Sequence, residues 1–287
     1  EPYRRIWVQK KDQAPFNVQF YDFWNTPTPQ MWFYRFIQSR NLLPDKKEIY
    51  FFSVFGDRSD HKLLKGTKLF YTGENVRHER HRQYSDYLLS DPSISLSLGF
   101  EYFEDPRYLR FPFWILQLFR PEWTEDQDII SRCQELRKPP ITEKRRFACM
   151  VSSQDVLGIR TEICNSLSGI DTIDCGGKIM HNCDDLWNKY DNDKKRFLSN
   201  YKFNICPENS NCAGYGTEKV FQAIDAGCIP IYWGSYNHPE PDILNPKAIV
   251  FWEANGSNEN AMALMQEINS SATTYLDFCH QDRLIEG

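Results

Sequence analysis

No stretch of this 287-residue chain is both long and purely apolar. Its longest such runs, "FPFWIL" among them, fall well short of the ~20 residues a bilayer-spanning helix needs, so no membrane span is expected. Basic charge is not in excess either: 34 Lys and Arg stand against 39 Asp and Glu, a net charge of −5. With no basic run or repeat of the kind seen in nucleic-acid modules, the composition argues against nucleic acid or an anionic membrane as partner. The nine cysteines are scattered without short metal-type pairs. Cys149, Cys206 and Cys228 lie inside apolar, strand-like runs and read as small buried hydrophobes, which favours a reducing compartment. Two glycosylation-type triplets, Asn255-Gly256-Ser257 and Asn269-Ser270-Ser271, point the other way but arise often by chance. No secretory signal segment is recognisable.

What is present is a repeated alternation of strand-like and helix-like segments, with 41% hydrophobic residues, enough for two packed cores. In the first half, "FNVQFYDFW", "EIYFFSVFG", "KLFYTG" and "SISLSLGF" read as strands rich in aromatic or β-branched residues. "MWFYRFIQSRNL" reads as a helix ended near Pro44. A charged segment with Pro139-Pro140 follows, and the double proline must end its helix, which places a domain boundary there, 1–140 and 141–287. The second half alternates again: strand "FACMVSS", helix "QDVLGIRTEICNSL", strand "TIDCGG", helix near "KKRFLSN", strand "KFNICPE", helix "TEKVFQAIDA" and strand "CIPIYWG". The expectation is α/β, as two successive parallel-sheet units with a cleft between them.

The segment after "KFNIC" carries the densest chemical signal. It delivers Glu208 and Asn209 at a strand's carboxyl end, where open α/β sheets bind ligands. A loop through Gly214, Tyr215 and Gly216 then feeds a helix with Thr217 as N-cap and Gly227 suited to the C′ position. Glu218 and Lys219 fall in the first turn, where free N–H groups and the helix dipole attract anions. Lys219 fits a phosphate grip, since local helix stability does not ask for a cation there. An ordinary capped surface helix accounts for the same local pattern.

Arg160 is a second cation in the same unit. Helical spacing sets it within a stripe of Val156, Ile159, Ile163 and Leu167, so it either meets an anion at the core's edge or lets its stem snorkel to solvent. In the first half, Glu74 follows the "LFYTG" strand and could face a cleft as a base, although turn composition predicts a solvated glutamate equally. The acid-x-acid triplet Asp191-Asn192-Asp193 sits in a charged stretch that reads as a solvated helix start. "HERH", His78 to His81, lacks zinc-pair spacing and reads, with Arg77, Arg80 and Arg82, as an exposed basic loop. No metal site is expected.

"YKFNICPENSNCAGYGTEKVFQAIDAGCIPIYWGS" closely resembles the signature of the α-1,3-fucosyltransferases, glycosyltransferase family ten. "FYTGEN" (70–75), "LGFEYFEDPRYLRFP" (98–112) and "VQFYDFW" (18–24) resemble that family's first half, bacterial members more than animal ones. The resemblance implies two Rossmann-like domains facing a cleft, the glycosyltransferase B-type fold. It implies GDP-β-L-fucose as donor, inverting α-1,3 transfer to a glycan such as N-acetyllactosamine or lactose, and no required cofactor or metal. By motif position Glu74 resembles the general base, Arg160 and Lys219 the diphosphate ligands, and Asn209, Tyr215 and Glu218 further donor contacts. A transferase for another nucleotide sugar, or a non-catalytic glycan-binding relative, stays open. The bacterial likeness implies a cytoplasmic protein, peripheral to the inner membrane, with the Golgi lumen the alternative if an N-terminal anchor was removed. Two departures stand out: Pro207 precedes Glu-Asn where an aromatic is usual, and the stretch from Val76 to Ser95 is long.

Overall fold

A computed structural model describes residues 17–24, 26–43, 47–56, 58–139 and 146–285. The boundary expected at 140/141 and the helix-ending Pro44 lie outside the described residues. The chain divides into two compact units, Glu1–Asp128 and Ile129–Gly287.

The first unit is built on five parallel strands: β1 (Val18–Tyr21), β2 (Ile49–Phe52), β3 (Thr67–Tyr71), β4 (Leu96–Gly99) and β5 (Tyr108–Arg110). They lie side by side in chain order. Alternate residues feed two different aromatic layers, because both faces of a parallel sheet are covered. Phe20, Phe51 and Tyr71 point to the layer of helix α1 (Trp32–Ser39), where Phe51 stacks on Phe20 at 4.9 Å and on Phe33 at 5.3 Å. Tyr50, Phe52 and Phe70 point to the opposite layer, closed by Tyr84 and Tyr87 of a 3-10 segment, Glu79–Tyr87. The short helix α2 (Phe113–Leu118) follows β5. The basic stretch after Glu74 is therefore not simply an exposed loop. It tucks His81, Tyr84 and Tyr87 inward while Arg80 and Arg82 stay outside.

The chain continues through α3 (Asp126–Arg137) into a second five-stranded parallel sheet, built from β6 (Arg146–Met150), β7 (Ile173–Cys175), β8 (Tyr201–Ile205), β9 (Ile229–Tyr232) and β10 (Val250–Phe251). Its helices are α4 (Ile159–Leu167), α5 (Asp185–Asn188), α6 (Lys194–Leu198), α7 (Glu218–Asp225), α8 (Glu259–Ser270) and α9 (Ala272–Cys279). The strand order is β10-β9-β8-β6-β7. The chain steps outward from β6 to β7, then returns to the other side of β6 with β8. That reversal opens a crevice at the carboxyl ends of β6 and β8, the place where open α/β sheets bind ligands. Ile163 and Leu167 of α4 join Phe203, Ile205, Ile229 and Ile231 in the core beneath it.

α4 is shorter than the expected helix. Gly158, at φ 73°, starts it in the left-handed region, so Val156 lies outside the helix and is exposed rather than part of the apolar stripe. Among the described residues no helix is long and apolar enough to cross a membrane.

Candidate functional site

The crevice of the second sheet gathers most of the polar residues singled out from sequence. Arg160 enters from the first turn of α4, and its side chain is only 5% exposed. One guanidinium nitrogen, Nη2, donates to the Pro207 carbonyl at 2.8 Å and to Asn209 Oδ1 at 3.0 Å. A single arginine thus spans from α4, after β6, to the loop after β8. Asp155 orients it: the carboxylate accepts from the Arg160 and Thr161 backbone N–H groups at 3.0 and 2.9 Å and from the Thr161 hydroxyl at 2.7 Å. Asp155 therefore caps α4 from four positions before its first residue, Ile159. Its Oδ1 lies 4.0 Å from Arg160 Nη1. Burial pulls the guanidinium below the ordinary arginine value, opposed by the carboxylates of Asp155 and Glu208.

On the other side of the same loop lies an arrangement that sequence reasoning missed. Glu208 is 1% exposed, and its carboxylate is fully engaged. It accepts from the Thr217 N–H at 2.8 Å, the Thr217 hydroxyl at 2.7 Å and Lys219 Nζ at 2.9 Å. Thr217 does occupy the N-cap position of α7, but its hydroxyl serves Glu208 and Lys219 rather than the helix. Burial alone would lower the Lys219 ammonium, but the Glu208 and Glu218 carboxylates hold it above the ordinary lysine value. Lys219 stays charged, with its side chain 19% exposed. A close backbone approach makes room for this carboxylate. Gly234, at φ 138°, packs so tightly that a Cβ there would lie 2.7 Å from the Glu208 side chain.

Tyr215 and Gly216 form the buried rim between these groups, and the Tyr215 N–H closes a turn onto the Cys212 carbonyl at 3.0 Å. Glu218 is half-buried as the first residue of α7. A third cation, also unanticipated, comes from α6. Lys194 Nζ donates to Gln222 Oε1 at 2.7 Å, and burial lowers its ammonium, with Glu218 opposing and Lys219 adding repulsion. The signal for both misses is three-dimensional: Glu208 meets Lys219 across a loop, and Lys194 reaches α7 from another helix. Asp193, from the acid-x-acid triplet, caps α6 through the Arg196 N–H at 3.0 Å.

Glu74 belongs to the first unit. It follows β3 by three residues, and a turn fixes it: its N–H donates to Thr72 Oγ1 at 3.0 Å, and that hydroxyl donates back to the Glu74 carbonyl at 2.8 Å. Gly73 lies against Phe113, where a Cβ would approach to 2.9 Å. Arg160, Asn209, Tyr215, Glu218 and Lys219 share the second unit's crevice, while Glu74 sits at the carboxyl edge of the first sheet. Cations held in place near the starts of helices, Lys219 by a carboxylate and Arg160 by a carbonyl and an amide oxygen, can take a dianionic group and stabilise charge that develops on it.

Two family models match the chain. "Glycosyltransferase family 10 (fucosyltransferase) C-term" covers residues 141–283, and "Alpha-(1,3)-fucosyltransferase FucT N-terminal domain" covers residues 18–117. The Helicobacter pylori protein "Alpha-(1,3)-fucosyltransferase FucT" is 28% identical over 264 residues, 80% of this chain and 51% of that protein. "Alpha-(1,3)-fucosyltransferase B" of Drosophila melanogaster is 38% identical over 89 residues, 31% of this chain and 19% of that protein. The chain thus spans about half the length of the Helicobacter relative, and its match to the Drosophila one is much shorter. A solved "Crystal Structure of alpha1,3-Fucosyltransferase" superposes with a TM-score of 0.66 at 22% identity, over 94% of this chain and 82% of that one. A second, "with GDP-fucose", gives 0.63 at 21% identity over 98% and 86%. The expected architecture of two parallel-sheet α/β units is the fold of these structures.

Proposed function

Because the chain belongs to glycosyltransferase family 10, we propose that it moves L-fucose from GDP-β-L-fucose to a sugar hydroxyl, with inversion to an α-1,3 linkage. The observation that carries this reading is the pair of cations, buried Arg160 and half-buried Lys219, fixed at the reversal point of the second sheet. They hold the donor diphosphate, while Asn209, Tyr215 and Glu218 contact the rest of the donor, Glu218 through sugar hydroxyls. Glu74 takes the proton from the acceptor hydroxyl. The freed oxygen attacks the anomeric carbon from the face opposite GDP, and the breaking C–O bond's electron pair leaves on the diphosphate. Arg160, Lys219 and the N-terminus of α7 stabilise that charge electrostatically. On this reading the cations serve where other sugar-nucleotide enzymes use a divalent ion, and transfer survives treatment with EDTA.

The acceptor is an oligosaccharide of the lactose or N-acetyllactosamine type. Calorimetry with GDP-fucose, GDP-mannose and UDP-sugars tests the donor, and a GDP-fucose acceptor screen followed by product linkage analysis tests the transfer. Preference for a UDP-sugar would move the chain to another donor, and nucleotide binding without transfer to any acceptor would leave a binding protein.

A further inference from the structure

Helices α6 and α7 pack side by side, and the joint between them holds one cation that its ion pairs leave over. Val220, Phe221, Ala223 and Ile224 turn α7 to the core, so Glu218, Gln222 and Asp225, at i, i+4 and i+7, share its opposite stripe. Phe197 and Leu198, both fully buried, anchor α6, and its first two residues, Lys194 and Lys195, reach that stripe. At the far end the pairing is complete. Asp225 pairs with Lys195 at 2.9 Å and with Arg132 at 2.8 Å.

At the crevice end it is not. Lys194 Nζ donates to Gln222 Oε1 at 2.7 Å, and that amide is its one hydrogen-bond partner among the described residues. An ammonium has three N–H donors, so two are unused. Glu218, one turn nearer the crevice, accepts no side-chain hydrogen bond and forms no ion pair among the same residues. The two charges feel each other without contact: the Glu218 carboxylate opposes the burial that lowers the Lys194 ammonium. Both residues are half-buried, so each keeps surface to offer a ligand. A partly desolvated charge with open hydrogen-bonding capacity costs free energy that a polar ligand returns.

The spacing selects the kind of ligand. Gln222 and Glu218 are one helical turn apart, about 5.4 Å along the axis. Lys194 Nζ, held beside Gln222, therefore stands off from the Glu218 carboxylate by a gap of that order. Hydroxyl groups fill such a gap, since a hydroxyl oxygen accepts from the ammonium and a hydroxyl hydrogen goes to the carboxylate, through bonds of about 2.7–3.0 Å. A phosphate would be drawn to Lys194 but repelled by Glu218, and an apolar group pairs with neither.

We infer that Lys194 and Glu218 together read a vicinal diol of the donor, Lys194 donating to one hydroxyl oxygen and Glu218 accepting from its neighbour. Lys194 is then a specificity-determining residue, distinct from the two cations proposed for the diphosphate. The inference deepens the donor reading above and rests on it for the nucleotide sugar. The diol belongs to the ribose of the nucleotide or to the transferred sugar, and the two sources separate by experiment.

The test is calorimetric titration of wild type and Lys194→Met with GDP, 2′,3′-dideoxy-GDP and GDP-fucose. Methionine keeps the bulk of the stem and removes the donors. For a ribose diol, wild type binds GDP roughly thirtyfold or more tightly than the dideoxy form, and Lys194→Met narrows that ratio about tenfold, as loss of one hydrogen bond from a charged group should. For a diol on the transferred sugar, the dideoxy ratio is the same in both proteins, and the advantage of GDP-fucose over GDP narrows about tenfold instead. A lysine that only ties α6 to α7 would lower Tm and weaken all three ligands in proportion, so two unchanged ratios overturn the inference. Lys194→Gln, read by the same ratios, decides if Lys194→Met does not fold. If UDP binds in place of GDP, the donor reading fails, and the same ratios taken with UDP, dideoxy-UDP and a UDP-hexose decide the diol pair. Absence of any nucleotide binding overturns both.

Discussion

Replacing Lys219 with methionine separates its place in the fold from its proposed place in the donor cradle. The substitution keeps the chain length and removes the ammonium. Glu208 is left 1% exposed, with only the Thr217 N–H at 2.8 Å and hydroxyl at 2.7 Å to hold its charge. Breaking one partner of a buried ion pair costs about 3–5 kcal/mol. The Lys219 side chain is 19% exposed, so water reaches the gap and the lower end, about 3 kcal/mol, applies. For a unit of this size that lowers Tm by about 6–12 °C. Loss of one of the two cations proposed to hold the diphosphate should weaken GDP by about 2–3 kcal/mol, or roughly 30- to 150-fold. The double variant Lys219→Met, Glu208→Gln removes the stranded charge as well. It should regain at least half the lost Tm and none of the lost affinity. Calorimetric unfolding and GDP titration read the two quantities separately. GDP binding at wild-type strength in the single variant refutes the phosphate role, and an unchanged Tm refutes the buried-pair reasoning.

Glu74→Gln should abolish fucose transfer while GDP affinity stays within about twofold by titration; a fully active variant removes Glu74 as base. Gly234→Ala forces a Cβ to 2.7 Å from Glu208 at φ 138°, and should cost about 2–3 kcal/mol in thermal unfolding while weakening GDP. His81 has a depressed folded value of about 4, so its stability contribution is complete above the unfolded value of about 6.5. That contribution is lost as pH falls through this window, because the unfolded chain binds the extra proton. Denaturation of wild type between pH 7 and 4 should therefore show a steeper fall in stability than His81→Phe; parallel curves would contradict it.

Long, self-consistent segments were legible from sequence, and contacts between segments were not. The strands of "EIYFFSVFG" and "KFNIC" combine apolar runs with flanking turn residues, and both formed. β5 and β10 are three and two residues long, too short for any period to register. Val156 has the right spacing for the α4 stripe, but Gly158 starts the helix after it. Gly227 at φ 69° closes α7 as its position indicated. The basic stretch shows the limit most clearly: charge density suggested exposure, yet His81, Tyr84 and Tyr87 recur at spacings that bury one side. Glu208 was visible as a strand-end residue, but nothing local shows that it holds Lys219.

The two sheets differ in a way that bears on how each unit can change. The second sheet reverses its strand order, so its crevice is a property of topology and survives substitution in any one loop. The first sheet runs its strands in chain order and has no such reversal, so whatever it recognises must be assembled from the segments that cap its strands. Surface segments of that kind accept insertion and exchange at little cost to the scaffold. Under the proposed reaction, nucleotide choice would be conservative, and glycan choice open to revision by grafting the stretch after Glu74 from one relative onto another.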